Sequence, residues 1–156
     1  METLKVNGYI KINPQSSRSY LHNPNRWMLF MFGNKEWFKY YHWLIQRRFG
    51  VTLNQPENPP HITLITGEDI NSETWNFACK WVKSNTFKDV ELLIQHLNTN
   101  GKYWWIPVRS SSFENFRTRL GLNARPYWNF HFTIGRASNK HLNQSNYAYQ
   151  ILKNYD

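Results

Sequence analysis

A chain of 156 residues is long enough to bury a core without disulfides or metal, and its lone cysteine, Cys79, has no partner for an internal bridge, which excludes a disulfide scaffold. No apolar run reaches the roughly 18 residues of a membrane-spanning helix, and Met1-Glu2-Thr3-Leu4-Lys5 opens into a polar segment, so one soluble, cytoplasmic, monomeric domain over residues 1–156 is expected, with no membrane partner. Nineteen basic against ten acidic residues give a net charge of +9, which with eight tryptophans points to an anionic, ring-bearing partner and leaves nucleotide, RNA and DNA open.

Residues 1–25 carry the turn signals Asn13-Pro14 and Asn23-Pro24 around Gln15-Ser16-Ser17-Arg18-Ser19, which predicts a short strand over 9–12 and otherwise loop. The apolar run 26–32, ended by Gly33-Asn34, fits a buried strand. A helix follows, with Asn34 as its cap, Trp37, Tyr41, Leu44 and Ile45 on one face, and Gly50 as its left-handed stop. Lys39, Arg47 and Arg48 follow its solvated face. Three prolines make 54–60 a stiff loop leading into a strand at His61. Ser72 is the candidate cap of a helix to about residue 84, with Trp75, Ala78, Val82 and a buried Cys79 thiol inward. Residues 89–97 read as a strand, Asn98-Thr99-Asn100-Gly101 as a hairpin turn and 102–108 as the returning partner. Ser111-Ser112-Phe113-Glu114 has the form of a capping box, opening a helix with Phe113, Phe116 and Leu120 inward and Gly121 as its stop. Residues 123–126 are loop, 127–136 a strand, and the tail from 143 to 155 a short helix.

Two stretches spell one pattern: Pro60-His61-Ile62-Thr63-Leu64-Ile65 and Phe130-His131-Phe132-Thr133-Ile134-Gly135. With six histidines in the chain, about 0.06 accidental copies of the whole pattern are expected, so the repetition carries the signal. Residues i and i+2 of a strand share a face, so each stretch sets an imidazole beside a hydroxyl while its apolar residues enter the core. Two such strands face to face would cradle one phosphodiester between two groups that titrate near neutrality and two hydroxyls. His61, Thr63, His131 and Thr133 are therefore the candidate catalytic residues, although threonine also favours strands for its own sake. Neither histidine has a carboxylate or cysteine at ligand spacing, so no metal and no cofactor is expected. The other possibility is a metal held by both histidines and a third ligand that spacing does not reveal. His22, His42, His96 and His141 are read as structural histidines.

On the strand 102–108, Tyr103, Trp104 and Trp105 alternate between a core face and one free to stack a base, and the residues alone do not choose between Trp104 and Trp105. Tyr103, Trp105, Arg109 and Arg136 are the candidate substrate contacts, with Arg125 in a nearby loop. The sequence supplies an acid and a base but no nucleophile beside either motif, so the substrate's own hydroxyl or water must attack.

The halves correspond in order: strand 26–32, helix 35–49 and the His61 strand match strand 102–108, helix 111–120 and the His131 strand. This implies an α+β fold of two pseudo-symmetric lobes, each an antiparallel sheet with an outer helix, around a central cleft. The paired motifs, about 70 residues apart in a duplicated chain, resemble the two-histidine (2H) phosphoesterase superfamily. That resemblance implies metal-independent opening of cyclic phosphates or cleavage of nucleotide phosphodiesters. Asn7-Gly8-Tyr9, Tyr20-Leu21-His22-Asn23-Pro24 and the His61 stretch look like the phage anti-CBASS branch, which hydrolyses the cyclic di- and trinucleotides that bacteria use as antiviral alarm signals. An RNA-end, 2′,3′-cyclic or 2′-5′ phosphodiesterase is the alternative enzyme. A nucleic-acid-binding module or a cyclic-nucleotide sponge is the non-enzymatic alternative, and for the enzyme no stable nucleic-acid complex is expected.

Overall fold

The computed structural model describes residues 2–13, 26–56, 59–85 and 87–154. In chain order they form β1 (Glu2–Ile12), β2 (Trp27–Phe32), α1 (Glu36–Phe49), β3 (Leu53–Asn54), β4 (His61–Thr66), α2 (Ser72–Ser84), β5 (Phe87–Ile94), β6 (Asn98–Thr99), β7 (Tyr103–Arg109), α3 (Ser111–Arg119), β8 (His131–Ala137) and α4 (Leu142–Lys153). The strands make one antiparallel sheet in the order β3-β8-β4-β2-β1-β5-β7-β6, closed on itself because β8 also pairs with β7. The sheet falls into two halves, β4-β2-β1-β5 and β3-β8-β7-β6; pairing is long along the first and between β8 and β7 of the second, and short where the halves meet. At one seam Ile62 of β4 stands opposite Phe132 of β8; at the other, Leu93 and Ile94 of β5 stand opposite Arg109 and Val108 of β7.

The two halves are the two expected lobes, and the repeat is longer than strand, helix, strand: β1-β2-α1-β4-α2 recurs as β5-β7-α3-β8-α4. The helices following β2 and β7 are exchanged. Helix α1 lies over β8 and beside α4, whereas α3 lies over β4 and β5. Aromatic packing shows why. Phe32, at the end of β2, meets Trp37 and Phe38 of α1 at ring distances of 4.8 and 5.3 Å and Phe132 of β8 at 5.8 Å, pinning α1 onto the second lobe. Phe113 of α3 meets Phe30 at 5.1 Å and so pins α3 onto the first. These edge-on and tilted contacts are the geometry that aromatic quadrupoles favour.

Several local expectations are corrected. Strand β1 begins at Glu2 rather than near Tyr9, because Asn7-Gly8 does not turn the chain; Leu4, Val6, Ile10 and Ile12 keep a two-residue period through it. The principal partner of β5 is β1, and that of β7 is β8, so the turn at 98–101 joins β7 only to the two-residue β6. Helix α3 is capped one residue early. Ser110 Oγ accepts from the Phe113 amide at 3.4 Å, so there is no capping box and Glu114 pairs instead with Arg125 Nε at 2.8 Å. Asn71, not Ser72, caps α2, accepting from the Thr74 amide at 2.8 Å. Asn34 accepts from the Glu36 amide at 2.9 Å from just outside the cap position of α1. The second histidine strand starts at His131, after a turn at Tyr127 and Trp128. Cys79 is half-buried rather than enclosed. The turn and loop expected over 14–25, including His22, lie outside the described residues.

Gly8 stands opposite Phe32 on β1, and a Cβ there would collide with the Met31 carbonyl oxygen and the Phe30 ring. The carbonyl belongs to a paired strand and cannot swing away. Gly8→Ala is therefore expected to destabilise the fold by about 1–3 kcal/mol. In thermal denaturation this should lower the midpoint by several degrees; an unchanged midpoint would show that β1 and β2 are not packed this closely.

Candidate active site

The Ile62–Phe132 pair joins equivalent positions of the two repeats, since each residue directly follows its histidine. Continuing that antiparallel register sets His61 opposite Thr133 and Thr63 opposite His131, with the histidines diagonal to each other. Such diagonal neighbours lie about 7–8 Å apart, close enough for both rings to reach opposite sides of one phosphate. Ile62 and Phe132 point the other way and are fully buried, while His61, Thr63, His131 and Thr133 are half-buried on a shared face. The helices cover the apolar face, so in a closed sheet the histidines line the inner one.

The rings are held alike. His61 Nδ1 lies 2.7 Å from the Pro59 carbonyl oxygen and His131 Nδ1 lies 3.0 Å from that of Asn129, in each case two residues upstream. A carbonyl oxygen only accepts, so Nδ1 carries the proton in both rings and Nε2 is left for chemistry. Asn129 supplies its carbonyl from a left-handed backbone, φ 55°, a conformation that asparagine tolerates better than most residues. Neither threonine hydroxyl makes a hydrogen bond to another described residue.

Burial, the largest effect, holds the His61 imidazole below its ordinary value of 6.5; the bond to Pro59 opposes this, and the charges of His131 and Lys11 add to it. His61 is thus neutral at physiological pH. Lys11 was not singled out from the sequence. It stands opposite Leu29, which stands opposite Thr63, so the lysine shares the histidine face. The alternation over residues 9–12 carried that signal, with Ile10 and Ile12 inward and Lys11 turned away.

Each histidine strand bulges after its threonine. Leu29 pairs with Thr63 but Met28 with Ile65, making Leu64 the extra residue; Trp105 pairs with Thr133 but Trp104 with Gly135, making Ile134 the extra residue. A bulge shifts the two-residue phase, so Thr66 and Arg136, rather than Ile65 and Gly135, rejoin the histidine face opposite Trp27 and Tyr103. At Gly135 a Cβ would sit 2.5 Å from the Asn54 carbonyl oxygen, so only glycine lets β3 lie alongside.

All four candidate substrate contacts fall on this face. Tyr103, Trp105 and Arg109 alternate along β7, with Trp105 opposite Thr133, and Arg136 joins them through the bulge. Trp104 is core: it is fully buried and its Nε1 donates to Ser145 Oγ at 2.8 Å. Arg125 is drawn off by Glu114. Tyr127 and Trp128 escaped notice as strand residues, yet they are 88% and 75% exposed on the turn that leads into His131. Of the histidines read as structural, His141 Nδ1 accepts from the Thr52 amide at 3.2 Å, and the His42 ring lies against Gly135. Among the described residues no group of three or more histidine, cysteine, aspartate or glutamate side chains is placed to hold a metal ion, and no helix is long and apolar enough to cross a membrane.

A family model described as Swiss Army Knife, 2H phosphoesterase domain, matches residues 40–141, which include both histidine strands. No curated protein and no solved structure matches the chain.

The ring geometry gives a direct expectation for long-range proton–nitrogen NMR. At pH 8 both His61 and His131 should show the Nδ1–H tautomer, and His61 should titrate below 6.5. An Nε2–H tautomer at either ring, or a His61 midpoint above 6.5, would contradict the arrangement.

Proposed function

Because the chain belongs to the 2H phosphoesterase family, whose activity is directed at phosphodiesters, we propose that His61, Thr63, His131 and Thr133 bind one phosphodiester and break it by general acid–base catalysis. The observation that carries this reading is the diagonal placement of two imidazoles across the Ile62–Phe132 seam, each presenting Nε2. His61, held neutral by burial, takes the proton from the attacking hydroxyl. His131 then donates a proton to the departing oxygen.

On a 3′,5′-linked ribonucleotide the 2′-oxygen forms the new bond to phosphorus as its proton passes to His61. The bond to the 5′-oxygen breaks, and that oxygen takes its proton from His131. The products are a 2′,3′-cyclic phosphate end and a 5′-hydroxyl. With a 2′,3′-cyclic phosphate as substrate, water replaces the hydroxyl. Acid–base help of this kind contributes about 10²–10⁴-fold. In this reading the two threonine hydroxyls, Lys11 and Arg136, which share the histidine face, supply the remainder by positioning the phosphate and offsetting its charge.

For the substrate we infer a cyclic oligonucleotide alarm signal, the enzyme acting as a phage counter-defence against CBASS immunity in the host cytoplasm. The stretches Asn7-Gly8-Tyr9 and the His61 strand support this, as do a net charge of +9 and the aromatic edge formed by Tyr103 and Trp105. The stretch 20–24 adds to the resemblance in sequence only.

Incubation in EDTA with cyclic di- and trinucleotides, linear RNA and 2′,3′-cyclic mononucleotides, read by mass spectrometry, tests the reading. The expected outcome is full turnover of a ribose cyclic oligonucleotide through a product bearing a 2′,3′-cyclic phosphate, while its 2′-deoxy analogue binds and stays intact. Turnover of linear RNA or 2′,3′-cyclic mononucleotides alone would assign the enzyme to RNA ends instead. Cleavage of the 2′-deoxy analogue at the ribose rate would show that water attacks directly. Intact ligand recovered from every incubation would make the protein a binding module, and activity restored only by a divalent metal would replace the mechanism.

A further inference from the structure

Each bulge has a polar side chain behind it, and the two side chains occupy the same place in the exchanged helices. Behind Leu64 is Arg117, the seventh residue of α3, which is 1% exposed. Its Nη1 donates to the Leu64 carbonyl oxygen at 2.7 Å, its Nε donates to the Asn123 carbonyl oxygen at 2.8 Å, and its two Nη atoms engage both oxygens of Glu68. Glu68 in turn accepts from the Thr66 amide at 3.2 Å, so the network grips both ends of the bulge. Behind Ile134 is His42, the seventh residue of α1. Its ring lies against Gly135, within 3.4 Å of where a Cβ would stand, and the Ile134 backbone beside it favours the protonated ring.

A bulge leaves its extra residue outside the ladder, and a buried carbonyl without a donor is costly, so the choice of donor decides which backbone angle is stable there. That angle sets how the preceding threonine and histidine are aimed. The two helices meet the same need with different chemistry, a guanidinium with several donors for Leu64 and an imidazole for Ile134. Burial pushes His42 below the ordinary histidine value, which keeps the ring neutral, and the Ile134 backbone partly opposes that shift.

We propose that His42 and Arg117 are positioning residues, one for each half of the site, which fix the bulges at Ile134 and Leu64 and thereby aim His131 with Thr133 and His61 with Thr63 at the phosphodiester. The catalytic consequence rests on the acid–base reading of those four residues; the positioning itself is observable without turnover.

His42 is the member to test, since it is only half-buried, whereas removal of Arg117 would strand Glu68 in a partly buried site. In His42→Phe, with folding verified by circular dichroism, kcat is expected to fall on the order of 10- to 100-fold with KM little changed, because the reacting groups are misaimed rather than removed. His42→Gln, which keeps a donor for Ile134, should recover most of that loss. In long-range proton–nitrogen spectra of the free protein, the His131 ring signals should move in His42→Phe while those of His61 stay in place. A His42→Phe protein with wild-type kcat and unmoved His131 signals would overturn the proposal, as would a His42→Gln protein as impaired as His42→Phe. Should the wild-type protein cleave no phosphodiester at all, the acid–base reading falls, and the His131 signals alone still decide whether His42 positions that ring.

Discussion

The site hangs on one antiparallel pair, Ile62 against Phe132. Two strands that meet at equivalent positions of a repeat must present their neighbours in reversed order, so each histidine is set beside the other strand's threonine. A slip of either strand by one residue would turn its histidine into the core and its apolar neighbour into the cleft. Both side chains of the pair are fully buried, and Phe132 is wedged among Phe32, Trp37 and Phe38 at ring distances of 4.5 to 5.8 Å. Core packing therefore enforces a register that the short ladder at this seam could not hold alone.

From a symmetric scaffold the chain obtains two histidines in unlike surroundings. The two rings have the same tautomer, the same upstream carbonyl and the same place in the repeat. Their surroundings differ. Across from His61 and Thr63 stand the buried Met31 and Leu29, with Lys11 one strand further on; across from His131 and Thr133 stand Pro107 and the half-buried Trp105. An apolar neighbourhood with a nearby cation disfavours the imidazolium, which suits His61 to accept a proton first. The aromatic side of the cleft, along Tyr103 and Trp105, is suited to stack a base.

Much of this was legible in the sequence, and the illegible part has a physical pattern. The two histidine–threonine strands, the helices of both repeats and the two-lobed α+β architecture follow from periodicity and repetition, which are local signals. Three features depended on contacts distant in sequence. The exchange of α1 and α3 between lobes is decided by where Phe32 and Phe113 find aromatic partners, and no helical period reports that. Arg117 sits among the inward positions of α3, where a charge reads as an interruption of the apolar face until Glu68 and the Leu64 carbonyl are brought against it. The bulges that bring Arg136 and Thr66 onto the cleft are invisible to simple alternation, which would have pointed both away. β1 was underestimated for a different reason: Asn7-Gly8 has turn composition, but its glycine serves the close approach of β2 instead.

The claim at the centre of this account is that His61 and His131 act on one phosphodiester in opposite protonation states. The pH dependence of kcat/KM in EDTA, for the wild-type protein and for His61→Ala and His131→Ala, tests it most directly. Wild type should give a bell, with its acidic limb below 6.5 because His61 must be neutral and its pKa is lowered. Each variant should lose on the order of 10²-fold or more in kcat, and His61→Ala should lose the acidic limb. A bell that survives intact in either variant would contradict the pairing and require another residue as acid or base.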